Sequence, residues 1–151
     1  ISPQAIFEER PFPLLQGLSV HLCIRLKSRK QIGDDSEANP WDFAVIPLGR
    51  TVPRVVLMPS DRGHSYLLLE DLIKHHIEEF FPGREVIECV AFRITRNADI
   101  ELQEDAASDL MIGMEEVLES RRQSRVTRLE YSHNASDATL AFLSEKMHLS
   151  S

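Results

Sequence analysis

The chain has 151 residues, the size of one domain, and its 42% apolar content excludes disorder as the dominant state. Its formal charge of −7 excludes a general nucleic-acid binder, which neutralises phosphates with surplus Lys and Arg, so any polyanion must meet a local basic patch. A domain this long buries on the order of 70% of its unfolded surface and folds without staples; the two distant cysteines, Cys23 and Cys89, fit reduced buried thiols of a cytosolic protein better than a disulfide framework.

The longest stretch free of Asp, Glu, Lys and Arg, residues 11–24, is shorter than the roughly 20 apolar residues of a membrane-spanning helix. No basic segment leads into an apolar one as a secretory signal requires. A chain that opens on Ile1 rather than Met is expected to be an excerpt of something longer.

Leu18, Val20, Leu22, Ile24 and Leu26 alternate with Ser19, His21, Cys23, Arg25 and Lys27, which predicts a half-buried strand. Residues 28–40 hold Gly33, Asp34, Asp35, Asn39 and Pro40 and read as an exposed hairpin loop, mobile at its tip. Two short strands are predicted next, Phe43 to Leu48 and Arg54 to Met58; Pro47, Pro53 and Pro59 point to edge positions or bulges. Gly63-His64-Ser65 reads as a turn, and Ser65 to Leu68 as a fourth strand.

The period then changes. Leu69, Leu72, Ile73, His76, Ile77 and Phe80 form one stripe of an amphipathic helix, with Glu70 and Asp71 at its positive end and Pro82-Gly83 as its stop. Val86, Glu88, Val90, Phe92 and Ile94 then face one way along a strand, and Asn97-Ala98-Asp99 turns into a shorter strand ending near Gln103. A second helix is predicted from about Glu104 to Arg122 with Leu110, Met111, Met114, Val117 and Leu118 buried. Val126 to Tyr131 follows as a strand, and Ser136 or Asp137 caps a last helix carrying Leu140, Leu143 and Met147. Helices that do not alternate regularly with single strands favour an α+β domain, with a mixed, mostly antiparallel sheet and about three helices.

Motifs for phosphate loops, dinucleotide folds, zinc sites and nucleophile elbows are absent from the sequence. His75 and His76 are adjacent, so on a helix their rings diverge by about 100° and suit no shared metal; a partly buried structural role is expected for His76. No catalytic or metal-binding residue is assigned. One charge feature remains: Asp99 to Glu119 holds eight acidic residues and no Lys or Arg, and Arg121, Arg122, Arg125 and Arg128 follow. Guanidinium forks match phosphate oxygens, so these four, with Arg93 and Arg96, are candidate phosphate-binding residues. The competing reading has them satisfying helix carbonyls or surface carboxylates.

Four ordered blocks carry a resemblance. Arg10-Pro-Phe-Pro-Leu-Leu15 with Leu18-Ser19, Val52-Pro-Arg-Val-Val-Leu57, Leu68-Leu-Glu-Asp-Leu72 running to Phe80-Phe-Pro-Gly83, and Phe92-Arg-Ile-Thr-Arg-Asn-Ala-Asp99 resemble the head, or middle, domain of ATP-dependent polyphosphate kinases of the phosphohistidine type. Arg121-Arg122 through Arg128-Leu129-Glu130 is also similar to that family, and the likeness covers about residues 6 to 147.

The resemblance implies a parent enzyme that reversibly transfers the terminal phosphate of ATP to polyphosphate through a transiently phosphorylated histidine. It also implies that residues 1–151 are one head domain, the N-terminal domain and both C-terminal catalytic domains lying outside this chain. ATP and Mg would then act through those other domains, with no cofactor in this one. A non-catalytic role in homodimerisation and in holding the neighbouring domains is implied, with guidance of polyphosphate as the alternative and no part for nucleic acid. The implied location is cytoplasmic, with room for membrane association of the full enzyme. The loop from Ser28 to Asn39 is longer than the family pattern suggests.

Overall fold

Alternation along Val20–Lys27 produces the strand on which the rest is assembled. In the computed structural model, which describes residues 4–6, 12–28, 40–49, 52–97 and 124–149, five strands share one antiparallel sheet. Their spatial order is β1 (Gln4–Ile6), β3 (Trp41–Pro47), β2 (Val20–Lys27), β6 (Val86–Arg96) and β7 (Val126–Tyr131). A separate two-stranded ribbon pairs β4 (Val55–Met58) with β5 (Ser65–Leu68). Helix α1 (Leu69–His75), a 3-10 turn (Ile77–Phe80) and helix α2 (Asp137–Lys146) complete the described elements. This is the expected α+β class. The predicted helix near 104–122, the strand near 99–103 and the tip of the loop after β2 lie outside the described residues.

The sheet is covered on both faces. On one, Leu22, Ile24, Leu26, Ala44 and Ile46 pack against Leu69, Ile73, Ile77 and Phe81 of the α1 region. On the other, Cys23, Phe43, Val45, Phe92 and Ile94 pack against Leu143 and Met147 of the α2 region and Leu15. The expectation of a half-buried β2 is therefore corrected: His21 and Cys23, on its supposedly polar side, are 1% and 0% exposed, because α2 and the segment around Leu15 cover that side.

Three local departures have physical causes. The strand carrying Pro47 is expected at an edge or a bulge, yet β3 lies between β1 and β2 with continuous register. Pro47 is its last residue, beyond the reach of β1, which pairs only with Phe43, Ala44 and Val45, so the missing N–H interrupts no ladder there. The helix predicted through Phe80 breaks at His76, whose φ of −107° and ψ of 19° end α1 and start the 3-10 turn. The phase changes, Ile77 turns inward and His76 outward, so the expected burial of His76 is corrected; its Nδ1 meets Glu79 Oε1 at 2.8 Å. In β6 the register slips between Arg25 and Leu26, pairing Glu88 with Arg25 but Val86 with Leu26. One extra residue moves Val86 to the α1 face, opposite Phe92 and Ile94 with which it was grouped.

The turn and cap readings agree with the structure. Gly63 sits at φ +72° between β4 and β5, a conformation other residues adopt only with strain. Ser136 is the N-cap of α2, its Oγ accepting from the Thr139 N–H.

Candidate functional site

Register on the outer strands brings part of the arginine set together. Arg93 pairs with Glu130 and Thr95 with Arg128 across β6 and β7, so Arg93, Arg128 and Glu130 share the α1 face of the sheet. Arg93 Nε and Nη2 donate to Glu130 Oε2 at 2.9 and 2.8 Å, and Arg128 Nη2 lies 3.3 Å from Glu130 Oε1. One carboxylate thus gathers two guanidiniums.

Arg96 is placed differently. Strand alternation puts Arg96 on the same side of β6 as Phe92 and Ile94, where it is buried and donates to the Leu15 carbonyl from Nε and Nη2 at 3.3 and 3.0 Å and to the Ser124 carbonyl from Nη1 at 2.6 Å. Its bonding is that of a positioning group for the segments around Leu15 and Ser124. Arg125 is exposed just before β7, its carbonyl accepting from the Asn97 N–H at 2.9 Å. Arg121 and Arg122 lie outside the described residues.

A residue that sequence reasoning missed joins the Arg93 side. Arg54, in the lead-in to β4, donates from Nε and Nη2 to Glu70 Oε1 at 2.9 and 2.5 Å, while its carbonyl accepts from the Leu69 N–H at 2.7 Å. Burial alone would raise the Glu70 carboxyl, but the Arg54 hydrogen bonds and charge hold it below the usual carboxylate range. Arg54 and Arg93 line one cleft of about 180 Å³, walled by Leu18, Val20, Leu48 and Leu69. The only sequence signal for Arg54 was its place in the Val52–Leu57 block; nothing there announced Arg93 as its neighbour.

Beside that cleft stands the ribbon. Val55 and Leu57 of β4 lie opposite Leu68 and Tyr66 of β5, so they share one face. Leu57 is 76% and Tyr66 67% exposed, and Val55 and Met58 are also open to solvent. A two-stranded ribbon is marginal by itself, and an apolar face on it is the kind of surface that another protein surface covers.

Other candidate chemistry is structural. His21 stacks on Phe92 with centroids 5.3 Å apart, and burial lowers its pKa to about 4. Cys23 and Cys89 point to opposite faces of the sheet. Among the described residues no group of three or more His, Cys, Asp or Glu is arranged to hold a metal, and no helix is long and apolar enough to cross a membrane.

With this geometry in place, comparison with known proteins decides the family. The sequence pattern of the "Polyphosphate kinase middle domain" matches residues 1–151. The chain belongs to the polyphosphate kinase middle-domain family. Among its relatives are polyphosphate kinases of Rhodopirellula baltica, 40% identical over 95% of this chain, and of Pseudomonas aeruginosa, 35% identical over 86% of it. The matched regions make up 24% and 19% of those relatives, so the chain spans under a quarter of their length. A crystal structure of polyphosphate kinase from Porphyromonas gingivalis shares the fold, with a TM-score of 0.65 over 98% of this chain and 19% of the other, at 22% identity. In this fold the Arg54–Arg93 cleft lies on the side of the sheet that carries Leu69.

Proposed function

We infer that this chain is the dimerisation and scaffold domain of a cytoplasmic polyphosphate kinase. The parent enzyme would reversibly transfer the terminal phosphate of ATP to polyphosphate through a phosphohistidine. ATP, Mg and the phosphorylated histidine belong, in this reading, to the other domains, and the chain alone is inactive. The observation that carries the reading is the apolar face of the ribbon, Val55, Leu57 and Tyr66, on a domain whose central strands are covered on both sides. A domain with a finished core gains nothing from such a face in isolation. Covering it against a second copy would remove roughly 25 cal/mol for each Å² of apolar surface buried.

Sedimentation velocity on the full-length enzyme tests this. Leu57→Asp and Tyr66→Asp are expected to shift the enzyme to monomers while leaving the thermal midpoint of this chain unchanged. Dimers of undiminished strength would overturn the reading, as would turnover of ATP and polyphosphate by the chain alone.

A second reading, guidance of polyphosphate by Arg93, Arg96, Arg121, Arg122, Arg125 and Arg128, draws support from one arrangement: Arg93 and Arg128 share the single carboxylate of Glu130. This leaves a local positive surplus on a chain of charge −7.

A further inference from the structure

Arg54 and Arg93 reach the same cleft from distant parts of the chain, one from the lead-in to the ribbon and the other from the middle of β6. Each guanidinium is fixed along one side by a carboxylate: Arg54 through Nε and Nη2 on Glu70, Arg93 through the same two nitrogens on Glu130. Among the described residues neither Nη1 takes part in these bonds. Both forks are therefore held in place with donor capacity to spare, the arrangement that lets an incoming oxyanion bind without first ordering a long side chain.

Charge narrows the ligand. Arg54, Arg93 and Arg128 face Glu70 and Glu130, which leaves one positive charge at the rim. Leu18, Val20, Leu48 and Leu69 share the lining with Ser19 and Gly49, and the Arg54 and Arg93 side chains are 60% and 46% exposed, so solvent screens part of that charge. A terminal phosphate group with two negative charges would overcompensate it. A lone carboxylate matches it in charge but offers its oxygens in one plane, suited to one fork. An interior phosphate of a polyphosphate chain carries one negative charge and two non-bridging oxygens that diverge tetrahedrally, one for each arginine, while its bridging oxygens lie against the aliphatic walls.

We propose that the cleft between Arg54 and Arg93 binds one interior phosphate unit of a polyphosphate chain, with Glu70 and Glu130 orienting the two guanidiniums. The proposal rests on the polyphosphate-guiding reading above and relocates its centre, replacing the inward-turned Arg96 by Arg54.

Calorimetric titration of the chain with long-chain sodium polyphosphate and with orthophosphate, each at two salt concentrations, tests it. Arg54→Gln and Arg93→Gln are expected to weaken polyphosphate binding about five- to tenfold, the effect of one charge-assisted hydrogen bond, and Arg125→Gln less than about twofold. Glu130→Gln removes the competing carboxylate and is expected to strengthen binding about threefold, a gain that misfolding cannot produce. Undiminished binding by both Arg54→Gln and Arg93→Gln, with a loss in Arg125→Gln, would overturn the cleft but leave polyphosphate guidance standing. Absence of wild-type binding at either salt would overturn both. Orthophosphate binding as tightly as polyphosphate would overturn the assignment to a chain unit.

Discussion

Glu88 of β6 caps helix α2 from across the domain: its Oε1 accepts the backbone N–H of Ser136 at 2.7 Å and its Oε2 the Ser136 hydroxyl at 2.6 Å. The same Oε2 also accepts from Thr139 Oγ1 at 2.6 Å and from Arg25 Nε at 3.1 Å. Arg25 in turn lies over the Trp41 ring, 4.5 Å from its centroid. Glu88 takes the Ser136 N–H while Ser136 Oγ takes the Thr139 N–H, so a sheet residue and the N-cap share the orphan donors at the start of α2, where a negative charge is favoured.

Burial alone would raise the Glu88 carboxyl, but hydrogen bonds from Ser136 and Thr139 hold it below the usual range. A depressed carboxylate stabilises the fold above its unfolded pKa of about 4.5, and that contribution is lost as pH falls through the folded value. Glu88→Gln is expected to cost about 2–3 kcal/mol at pH 7 in urea unfolding, with the difference from wild type shrinking at pH 3. A cost that does not change between the two pH values would contradict this account.

His21 predicts a second pH effect in a different window. Its pKa falls from 6.5 to about 4 because burial against Phe92 disfavours the charged ring. The unfolded chain therefore takes up a proton below pH 6.5 that the folded one refuses, so stability is full above that pH and is lost progressively down to about pH 4. His21→Phe is expected to remove a loss on the order of 3 kcal/mol between pH 7 and pH 4. Unfolding free energies that fall in parallel for both proteins would refute it.

Arg96 and Arg93 are close in sequence and should differ sharply in effect. Arg96→Met strands the Leu15 and Ser124 carbonyls away from water and is expected to destabilise by about 2–4 kcal/mol. Arg93→Met breaks a partly exposed ion pair and should cost no more than about 1 kcal/mol. Chemical denaturation of the two variants distinguishes these roles; equal costs would mean that Arg96 is not the positioning group described.

The thiols should be inert in the native state. Burial raises Cys23 strongly and pushes Cys89 up to about 11, so little thiolate exists near neutral pH. Alkylation by iodoacetamide at pH 7.5 is expected to run about a hundredfold slower in the folded chain than in urea. Native rates like those of a free thiol would disprove it.

Period and punctuation made most of the framework legible. The β5 and β7 boundaries, the Gly63 turn and the Ser136 cap are local properties, and local chemistry announces them. What sequence reading missed depends on partners far along the chain. His21 looked solvent-facing until α2 and Leu15 covered it, and Val86 changed face through a bulge that only pairing with β2 defines. The arginines were grouped by nearness in sequence, whereas register joined Arg93 to Arg128 through Glu130, strand alternation put Arg96 on the buried side with Phe92 and Ile94, and the chain entering β4 brought in Arg54. The alternative reading, in which arginines satisfy carbonyls and surface carboxylates, accounts for the bonds of Arg96, Arg93 and Arg128 that the structure contains. The two readings meet at Glu130, which orients the guanidiniums it also neutralises.

The two-sided burial of the central strands constrains where this domain can be cut. Residues 137–146 form the only helix packed on the Cys23 side among the described residues, with Leu143 fully enclosed and Met147 nearly so. A protein shortened after Tyr131 would keep every described strand and still open Phe43, Val45 and Phe92 to water, inviting aggregation through a bared sheet face. Fragments of polyphosphate kinases intended to behave as independent units should therefore run to Leu149 or beyond, whatever the strand boundaries suggest.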